Sequence, residues 1–458
     1  MNQIADIDLP KALRRQRDAF LRDGFPSLET RLDRLRRLAD ILKNNERDIV
    51  EAEAADFGGR SRVLTHNADI LGALEIIRHT SGQLAGWMRP QGLDVGNPEL
   101  EVSLRHGPLG VVGAMTPWNG PVLISYLALV GILAAGNRMM IKLPELTPLT
   151  SGLLARELAK AFDESEVLAV LGGADVAANF SRLPFDHLLF TGSTETGRKV
   201  MVEAARNLVP VTLELGGKCP VFLGEKADIH AAAPRLAHGK MLFAGQICVT
   251  PDYVLCPQEH VRLLADNIIG EAQSMYPSMH GNDDYCAIIN DRHFARLEAL
   301  VEDALKKGAI ARRLDYPEGR EAGARKFPLT VLFNVDEGMD VMREEIFGPV
   351  LPIVGYGYFK EAVQFAQGRD HPLAAYYFGG DPSEIERLAG SLKAGSLTLN
   401  DVVCQLFHEQ IPFGGAGASG MGRYRGAAGF KTFSNLMPVV TQHAGEAMLA
   451  GARPPFAS

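Results

Sequence analysis

Short apolar runs alternate with helical segments over residues 110–215, and this alternation limits the possible fold more than any other feature of the chain. The runs are almost continuous in apolar residues, which is typical of strands buried on both faces. Alternating strands and helices predict a parallel sheet covered by helices, with any nucleotide bound beyond the carboxyl ends of the strands. The predicted strands are 110–115, 138–142, 167–171, 187–191 and 210–215, and the predicted helices are 121–135, 148–162, 174–180 and 194–207.

A second alternation begins after Gly217. A chain of 458 residues is too long for one ordinary core, so we expect two or three domains. The segment 92–106 and the C-terminal segment belong to neither alternation. The predicted strands of the second unit are 219–223, 253–256, 329–334, 350–355, 375–378 and 396–399, with a helix near 258–275.

The net charge of −8 argues against a general affinity for nucleic acid or for anionic membranes. The longest apolar run, 121–136, is shorter than the roughly twenty residues that cross a bilayer, so it predicts a buried helix. We expect no secretory signal, because the N-terminus has no apolar stretch. The five cysteines match neither a disulfide framework nor a zinc site, which favours a reducing cytoplasm and no metal. Four of them are expected to be ordinary buried thiols, namely Cys219, Cys256, Cys286 and Cys404.

Leucine and isoleucine recur at helical spacing in residues 27–55 and predict an amphipathic helix. Four arginines lie among them. We expect these side chains to be solvated, and an anion-binding site is the alternative. The four are Arg31, Arg34, Arg36 and Arg37.

Gly192 and Gly197 bracket a short segment after the predicted strand 187–191. The usual glycine-rich fingerprint of a dinucleotide-binding sheet, which follows the first strand, is missing. The segment is either a capped helix start or a site where backbone N–H groups and the helix dipole bind a pyrophosphate. Spacing alone leaves both alternatives open.

Cys248 and Glu214 are the strongest candidates for chemistry. A cysteine attacks a carbonyl as its thiolate, and little of an ordinary thiol is ionised at neutral pH, so a reactive cysteine needs an activating environment. Cys248 follows Gly245 and Gln246, which are small or polar rather than typical of a core. Glu214 ends an apolar strand, where a carboxylate is unfavourable unless it is paired or functional. The alternatives are an ordinary buried cysteine and a structural salt bridge.

Seven short segments, taken in their order along the chain, resemble the aldehyde dehydrogenase superfamily. The resemblance covers the chain from about residue 10 to about residue 435. The short N-terminus and residues 251–256 and 419–422 are similar to the class 3 branch, and residues 16–20, 24–27 and 56–61 are similar to coniferyl aldehyde dehydrogenases. The seven segments are 116–119, 141–142, 190–193, 213–218, 245–248, 344–349 and 411–415.

The resemblance implies an α/β fold with three parts. These are a Rossmann-type NAD(P)-binding domain with a parallel sheet (1–91 and 107–217), an α/β catalytic domain (218–416), and segments that contact another subunit (92–106 and 434–458). It also implies NAD or NADP as cofactor and assembly as a homodimer or a dimer of dimers.

The resemblance assigns a role to each candidate catalytic residue. Cys248 is the nucleophile, and Glu214 activates the water that hydrolyses the thioester. Asn119, together with the backbone N–H of Cys248, forms an oxyanion hole. An asparagine in a turn otherwise bonds its own backbone. Gly120 and Phe413 are assigned to the substrate, although an aromatic residue near glycines often only packs.

The resemblance also assigns cofactor contacts. Lys142 and Glu145 would hold the adenosine ribose, unless they only form an ion pair on a solvated loop. Glu345 and Phe347 would hold the nicotinamide ribose and ring. The other contacts implied are Thr116, Pro117, Trp118, Thr191, Gly192, Ser193, Gly197, Leu215 and Gly216.

The chain departs from the family in two places. Relatives usually have Pro-Ser between the counterparts of Lys142 and Glu145, where this chain has Leu143 and Pro144, and this leaves the cofactor preference open. Relatives usually have a large residue after the asparagine, where this chain has Gly120. We expect the glycine to widen the site.

The predicted function is the NAD(P)-dependent oxidation of an aldehyde to the carboxylic acid through a cysteine thiohemiacetal and thioester. The expected substrate is a small, aromatic, conjugated aldehyde such as coniferyl aldehyde, and the alternative is a long-chain or broad-range aliphatic aldehyde. A CoA-acylating relative and a non-catalytic protein on the same fold are further alternatives. The presence of Glu214 favours hydrolysis over acylation of CoA.

Overall fold

Three β-sheets organise the chain in the computed structural model, which describes residues 7–316, 324–443 and Pro454. The strands are β1 (Gln91–Gly92), β2 (Leu100–Pro108), β3 (Val111–Met115), β4 (Arg138–Lys142), β5 (Val167–Val170), β6 (His187–Gly192), β7 (Val211–Leu215), β8 (Pro220–Leu223), β9 (Tyr253–Pro257), β10 (Ile310–Arg313), β11 (Thr330–Phe333), β12 (Val350–Tyr356), β13 (Ala374–Phe378), β14 (Ser396–Leu399), β15 (Gly420–Met421) and β16 (Ser434–Gln442).

Helices cover and connect these sheets. The α-helices are α1 (Leu9–Asp23), α2 (Leu28–Phe57), α3 (Arg62–Thr65), α4 (Gly72–Trp87), α5 (Leu123–Ala134), α6 (Pro148–Ala161), α7 (Ala174–Ser181), α8 (Thr194–Ala205), α9 (Ile229–Met241), α10 (Val261–Met275), α11 (Asp291–Lys306), α12 (Asp340–Arg343), α13 (Phe359–Gln367), α14 (Pro382–Ser391) and α15 (Gly426–Thr432). A π-helix spans His66–Leu71, and short 3₁₀ turns lie at Leu242–Gly245, Gln258–His260, Cys404–Phe407 and Gly417–Ser419.

The first sheet has the strand order β15-β7-β6-β3-β4-β5. The chain builds outward from β3 through β4 to β5, and then crosses back to place β6 and β7 on the other side of β3. These five strands are parallel, which confirms the predicted α/β fold, and the strand order reverses between β3 and β6. Ligands of such sheets bind at the carboxyl ends of the strands at this reversal. The short antiparallel edge strand β15 was not predicted.

The second sheet has the order β10-β11-β12-β9-β8-β13-β14. Six of its strands are parallel and correspond to the six apolar runs predicted after Gly217. Strand β10 pairs antiparallel with β11 at the edge and was not predicted. Its sequence, Ile-Ala-Arg-Arg, lacks the apolar continuity of a buried strand.

The third sheet joins the two segments that belonged to neither alternation. Strands β2 and β16 are each nine residues long and pair antiparallel along their whole length, and β1 adds two residues to the other edge of β2. Residues 444–453 and 455–458 of the predicted oligomerisation segment lie outside the described part of the chain. The role in assembly and the domain bounds remain predictions.

Two of the arginines in α2 are buried, and the prediction that all four are solvated is wrong for them. Arg31 donates from Nη1 to the main-chain oxygen of Ala134 at 3.0 Å, and Arg34 forms an ion pair with Glu166 at 3.0 Å. Ala134 is the last residue of α5, whose final carbonyls lack partners within the helix, so a cation is stabilised there. A helical pattern alone does not reveal such a tertiary partner.

Helix α5 is apolar and almost completely buried, which confirms that the long apolar run forms a core helix. Within the described ranges, no helix is both long and apolar enough to span a membrane.

Of the four cysteines expected to be buried, Cys404 is instead partly exposed, because it lies in a short 3₁₀ turn on the loop after β14.

Candidate active site

The loop that carries Cys248 contains three consecutive residues with positive φ. Phe243, Ala244 and Gly245 have φ values of 46°, 54° and 72°. A Cβ on Gly245 would lie 2.5 Å from the main-chain oxygen of Gly348, so only glycine fits at that close approach. Left-handed backbone is unfavourable for residues other than glycine, and it persists where surrounding contacts fix it.

Gln246 supplies some of those contacts. Its side-chain oxygen accepts from Ile289 N at 3.0 Å, and its side-chain nitrogen donates to Ala287 O at 3.0 Å. The side chain is 1 % exposed, so both bonds are shielded from water. Gln246, the polar residue two positions before Cys248, therefore holds the loop in place through its side chain.

Cys248 is partly buried and lies at the wall of a cavity. Enclosure raises the pKa of its thiol well above the usual value, and the neighbouring Glu214 carboxyl raises it further. The thiol is therefore protonated at rest, and ionising it requires a base nearby.

Glu214 lies near the end of β7, between Thr191 of β6 and Gly420 of β15. It is 2 % exposed. Burial raises the pKa of its carboxyl to about 7, and the side chains of Cys248, Arg425 and Thr191 oppose the rise. Its Oε1 has no hydrogen-bond partner, and no ion pair within 4 Å engages it in the described part of the chain. The alternative of a structural salt bridge is therefore wrong.

Asn119 follows β3 and is 9 % exposed. Its side-chain nitrogen donates to the main-chain oxygen of Gln246 at 3.0 Å. Its own main-chain oxygen accepts from Arg60 Nη1 at 2.9 Å. The side chain thus contacts the cysteine loop, and the expectation from residue type alone, a bond within its own turn, is wrong.

One cavity of about 160 Å³ brings five of the predicted residues together. These are the three catalytic candidates and the two substrate candidates, namely Cys248, Glu214, Asn119, Gly120 and Phe413. Most of the remaining wall is apolar, with Leu123, Ile124, Leu242, Ile247 and Leu406 among its residues. Such a wall favours apolar parts of a ligand.

The predicted cofactor residues of the first sheet lie at its carboxyl edge. Thr116, Pro117 and Trp118 directly follow β3, and Lys142 ends β4. Thr191 and Gly192 end β6, Ser193 follows as the cap of α8, Gly197 lies in the first turns of α8, and Leu215 ends β7. They therefore surround the point where the strand order reverses.

The segment after β6 forms a capped helix start. Ser193 accepts a hydrogen bond at its side chain from Thr196 N at 3.3 Å, as an N-cap does. A Cβ on Gly197 would lie 2.5 Å from the side chain of Leu215, so the glycine allows α8 to pack closely on β7. Whether the helix start also binds a pyrophosphate remains a prediction.

Lys142 and Glu145 form an ion pair, as the alternative expected, but the lysine is not on a solvated loop. Its side chain is 4 % exposed, whereas that of Glu145 is 49 % exposed. Leu143, which departs from the family, is fully buried and donates from its main chain to Val170 O at 3.0 Å. The departure therefore places an apolar side chain in the core.

Glu345 and Phe347 come from the second unit and meet the first. A Cβ on Gly216 would lie 1.9 Å from a carboxylate oxygen of Glu345, so this approach requires glycine. Burial first, and Asp252 second, raise the pKa of Glu345 to about 8. The ring of Phe347 lies 5.4 Å from that of Trp118, edge to face.

Sequence reasoning missed two buried arginines at the cavity, Arg60 and Arg425. Arg60 forms ion pairs with Asp69 at 2.7 Å and with Glu53 at 3.2 Å. It also donates a hydrogen bond to the main-chain oxygen of Asn119. In the sequence, each of these arginines stands beside one glycine, which is only a weak signal. In the described ranges, no three His, Cys, Asp or Glu side chains are grouped to hold a metal ion.

Comparisons with known proteins agree on one family. The model of the aldehyde dehydrogenase family matches residues 3–439. A coniferyl aldehyde dehydrogenase of Pseudomonas sp. strain HR199 is 44% identical over 449 residues, which is 96% of this chain and 92% of that protein. The substrate-bound structure of Staphylococcus aureus AldH has a TM-score of 0.91 at 31% identity and covers 96% of this chain and 95% of that one. The structure of betaine aldehyde dehydrogenase of the same species, in complex with NAD⁺, has a TM-score of 0.86 at 27% identity. It covers 98% of this chain and 90% of that one.

Proposed function

This chain belongs to the aldehyde dehydrogenase family, and we propose that Cys248, Glu214 and Asn119 carry out its reaction. That reaction is the NAD(P)-dependent oxidation of an aldehyde to a carboxylic acid. The observation that supports the assignment is that the three side chains, from separate parts of the fold, line one cavity.

The residues around the strand reversal fit a dinucleotide. Gly216 allows the carboxylate of Glu345 to approach this edge of the first sheet from the second unit, where it would hold the nicotinamide ribose. Lys142 and Glu145 would hold the adenosine ribose, and Ser193 at the start of α8 would face the pyrophosphate. When bound, the nicotinamide ring accepts the hydride that leaves the aldehyde carbon.

In the first half of the reaction, Cys248 bonds to the aldehyde carbon and gives up its proton. Glu214 suits the role of acceptor because its pKa of about 7 lets it hold or release a proton at neutral pH. One N–H of the Asn119 amide is bonded to Gln246 O, and the second N–H remains for the oxygen that becomes negative. Loss of the hydride then leaves a thioester on Cys248.

In the second half, Glu214 first releases the thiol proton to solvent. Its carboxylate then removes a proton from water, and the water oxygen attacks the thioester carbonyl. The carbon–sulfur bond breaks, the acid leaves, and the sulfur regains a proton. The unpartnered Oε1 of Glu214 is an acceptor suited to such a water. General-base catalysis of this kind typically contributes about 10²–10⁴-fold.

We propose an aromatic, conjugated aldehyde of the coniferyl type as substrate. The cavity wall is mostly apolar, and Gly120 and Phe413 supply space and a ring face for an aromatic substrate. The similarity to a coniferyl aldehyde dehydrogenase favours the same class. A long-chain or broad-range aliphatic aldehyde is the second candidate, since an apolar wall also accepts alkyl chains.

We further propose a homodimer, or a dimer of dimers, that assembles through the third sheet. Strand β16 pairs with β2 along one edge, and the described residues leave its other edge open. Leu436, Met437 and Val440 on β16 are about half exposed. An open, apolar strand edge favours pairing with another chain.

Five free cysteines favour the reducing cytoplasm as the place of action.

A panel of aromatic and aliphatic aldehydes, scored by NADH and NADPH formation, tests the proposed function. We expect oxidation of cinnamaldehyde-type substrates at higher kcat/KM than aliphatic aldehydes of similar length. Preference for the aliphatic series would overturn the aromatic assignment. Sedimentation velocity tests the dimer, and a monomer at micromolar concentration would contradict it.

A further inference from the structure

Arg425 places a guanidinium at the wall of the same cavity as Cys248. Its side chain belongs to the loop between β15 and α15, and the residue is 7 % exposed. A buried cation at a mostly apolar wall is unfavourable unless its N–H groups find acceptors. None of the catalytic steps above uses it.

The protein uses few of these N–H groups. An arginine side chain has five N–H donors. Nη1 donates to Leu406 O at 2.8 Å, whereas Nε is buried without a hydrogen-bond partner. The guanidinium also lies 4.7 Å from the centre of the Phe413 ring. Within the described ranges, no carboxylate lies within 4 Å of it as an ion pair, so donors remain for a ligand in the cavity.

The backbone holds Arg425 in a conformation that few residues with a side chain adopt. Its φ is 135° and its ψ is 143°. The neighbouring contacts fix this conformation, because Tyr424 forms a β-bridge with Phe413 and Gly426 N donates to a carboxylate oxygen of Glu409 at 2.8 Å. Such conformations concentrate at functional sites. The guanidinium is thus held at the cavity wall by its backbone.

The charges around Arg425 limit which ligand it suits. Glu409 and Glu214 are both buried and both within electrostatic range of the guanidinium. A ligand carboxylate would meet these two acidic groups as well as the cation. An uncharged oxygen accepts a hydrogen bond from the guanidinium without that repulsion.

We propose that Arg425 determines specificity by donating a hydrogen bond to an uncharged oxygen that the aldehyde carries away from its reacting carbon. Phenol, aryl ether and alcohol oxygens are of this class. The proposal rests on the oxidation of aldehydes in this cavity and adds a preference among them. It applies to aromatic and aliphatic aldehydes alike.

Two matched substrate pairs test the proposal. One pair is 4-hydroxy-3-methoxycinnamaldehyde and cinnamaldehyde, and the other is 6-methoxyhexanal and octanal, which have chains of equal length. For each pair, the ratio of kcat/KM is measured in the parent protein and in Arg425→Met. We expect the parent to favour the oxygen-bearing member, and Arg425→Met to reduce that ratio about ten- to hundredfold, the range for a hydrogen bond to a charged group. Both members of a pair undergo the same reaction steps, so any equal effect of the substitution on those steps cancels in the ratio.

Arg423→Met is the matched control, because Arg423 lies two residues away, donates to Gly415 O and is not part of the cavity wall. It should leave both ratios as in the parent. If Arg425→Met does not fold, the double variant Arg425→Met with Glu409→Gln replaces it. This variant removes the buried charges of both residues and keeps an acceptor for Gly426 N. Its kcat/KM ratios then test the proposal.

Ratios that are unchanged in the folded Arg425 variant overturn the proposal, whichever aldehydes the parent prefers. Failure of the aromatic pair as substrates would overturn the proposed substrate class and leave the aliphatic pair to test Arg425. A third pair, 4-carboxybenzaldehyde and benzaldehyde, tests the charge of the ligand. A larger loss for this pair than for the other two would overturn the preference for an uncharged oxygen.

Discussion

The side-chain nitrogen of Asn119 lies 3.0 Å from the main-chain oxygen of Gln246 and donates a hydrogen bond to it. This bond connects the turn after β3 of the first sheet to the cysteine loop of the second unit. It also orients the amide, because one N–H is used and the other remains for a ligand in the cavity that Asn119 and Cys248 both line. The position of the proposed oxyanion donor therefore depends on the contact between the two units.

Asn119→Ala should slow acylation by roughly 10²–10³, the usual effect of losing one oxyanion donor. Stopped-flow measurement of the first NADH formed checks this, since that phase precedes hydrolysis. Asn119→Asp is the control for shape, because it keeps the size of the side chain and removes its N–H groups, and it should slow the same phase. An unchanged burst rate in both variants would show that the amide only holds the loop.

Cys248→Ala should abolish dehydrogenation and leave the fold and cofactor binding intact. The thiol is small and already borders a cavity, so its removal leaves little new empty space. Activity and NADH binding are measured together with the melting temperature. Cys404→Ala is the matched control, because that thiol is partly exposed and not part of the cavity wall. Near-normal activity in Cys248→Ala would remove this residue as the nucleophile.

Glu214→Gln should retain a first burst of NADH, although a slower one because water must then accept the Cys248 proton, and should slow steady turnover by about 10²–10⁴ because hydrolysis loses its base. The burst and the steady rate are read in one stopped-flow trace, and mass spectrometry detects the acyl-enzyme. A variant with no burst and no acyl-enzyme would assign Glu214 an essential role before hydrolysis. A variant that fails to bind cofactor would assign it to binding.

Turnover should rise with pH through about 7 and then level off. Burial raises the pKa of Glu214 to about 7, so the carboxylate, which is the form that accepts a proton, becomes the minor form below that pH. The kcat profile from pH 5.5 to 8.5 checks this when hydrolysis limits turnover. The rising limb should be absent in Glu214→Gln, and its persistence there would assign it to another group.

The sequence predicted the large sheets well because their strands are buried on both faces. The segments 138–142 and 187–191 have apolar centres and are buried along their whole length, which is typical of strands with neither face open to water. The unpredicted strands β10 and β15 lie at sheet edges, where pairing with one neighbour needs no such run.

The candidate site was predictable only in part. Cys248 and Glu214 lie in short motifs whose residue types are unusual for a core, so they could be found without a structure. Arg60 and Arg425 could not, because an arginine is normally exposed, and only tertiary partners such as Asp69 make its burial favourable. The same reason accounts for the wrong prediction that Arg31 and Arg34 are solvated.

Gly120→Tyr should shift the protein's preference away from ring-bearing aldehydes. Gly120 lines the cavity beside Asn119, and its φ lies outside the positive region, so a side chain is tolerated by the backbone. A Cβ there would lie 3.2 Å from the side chain of Ile124, which can move by a small rotation. The phenol ring would then extend into the space that a substituted ring of the substrate needs.

The ratio of kcat/KM for substituted cinnamaldehydes to that for straight-chain aldehydes of similar length measures this effect. A misfit in an apolar pocket discriminates by about 1–3 kcal/mol, so the ratio should fall about tenfold to two-hundredfold. Gly120→Ala is the size control and should shift the ratio little, because one methyl group fills little of the cavity. The melting temperature of both variants separates misfolding from selectivity. Gly120 has no positive φ, so its backbone can keep the same conformation with a tyrosine side chain. A well-folded Gly120→Tyr protein with the parent's ratio would therefore show that the width of the cavity at this position does not set substrate choice.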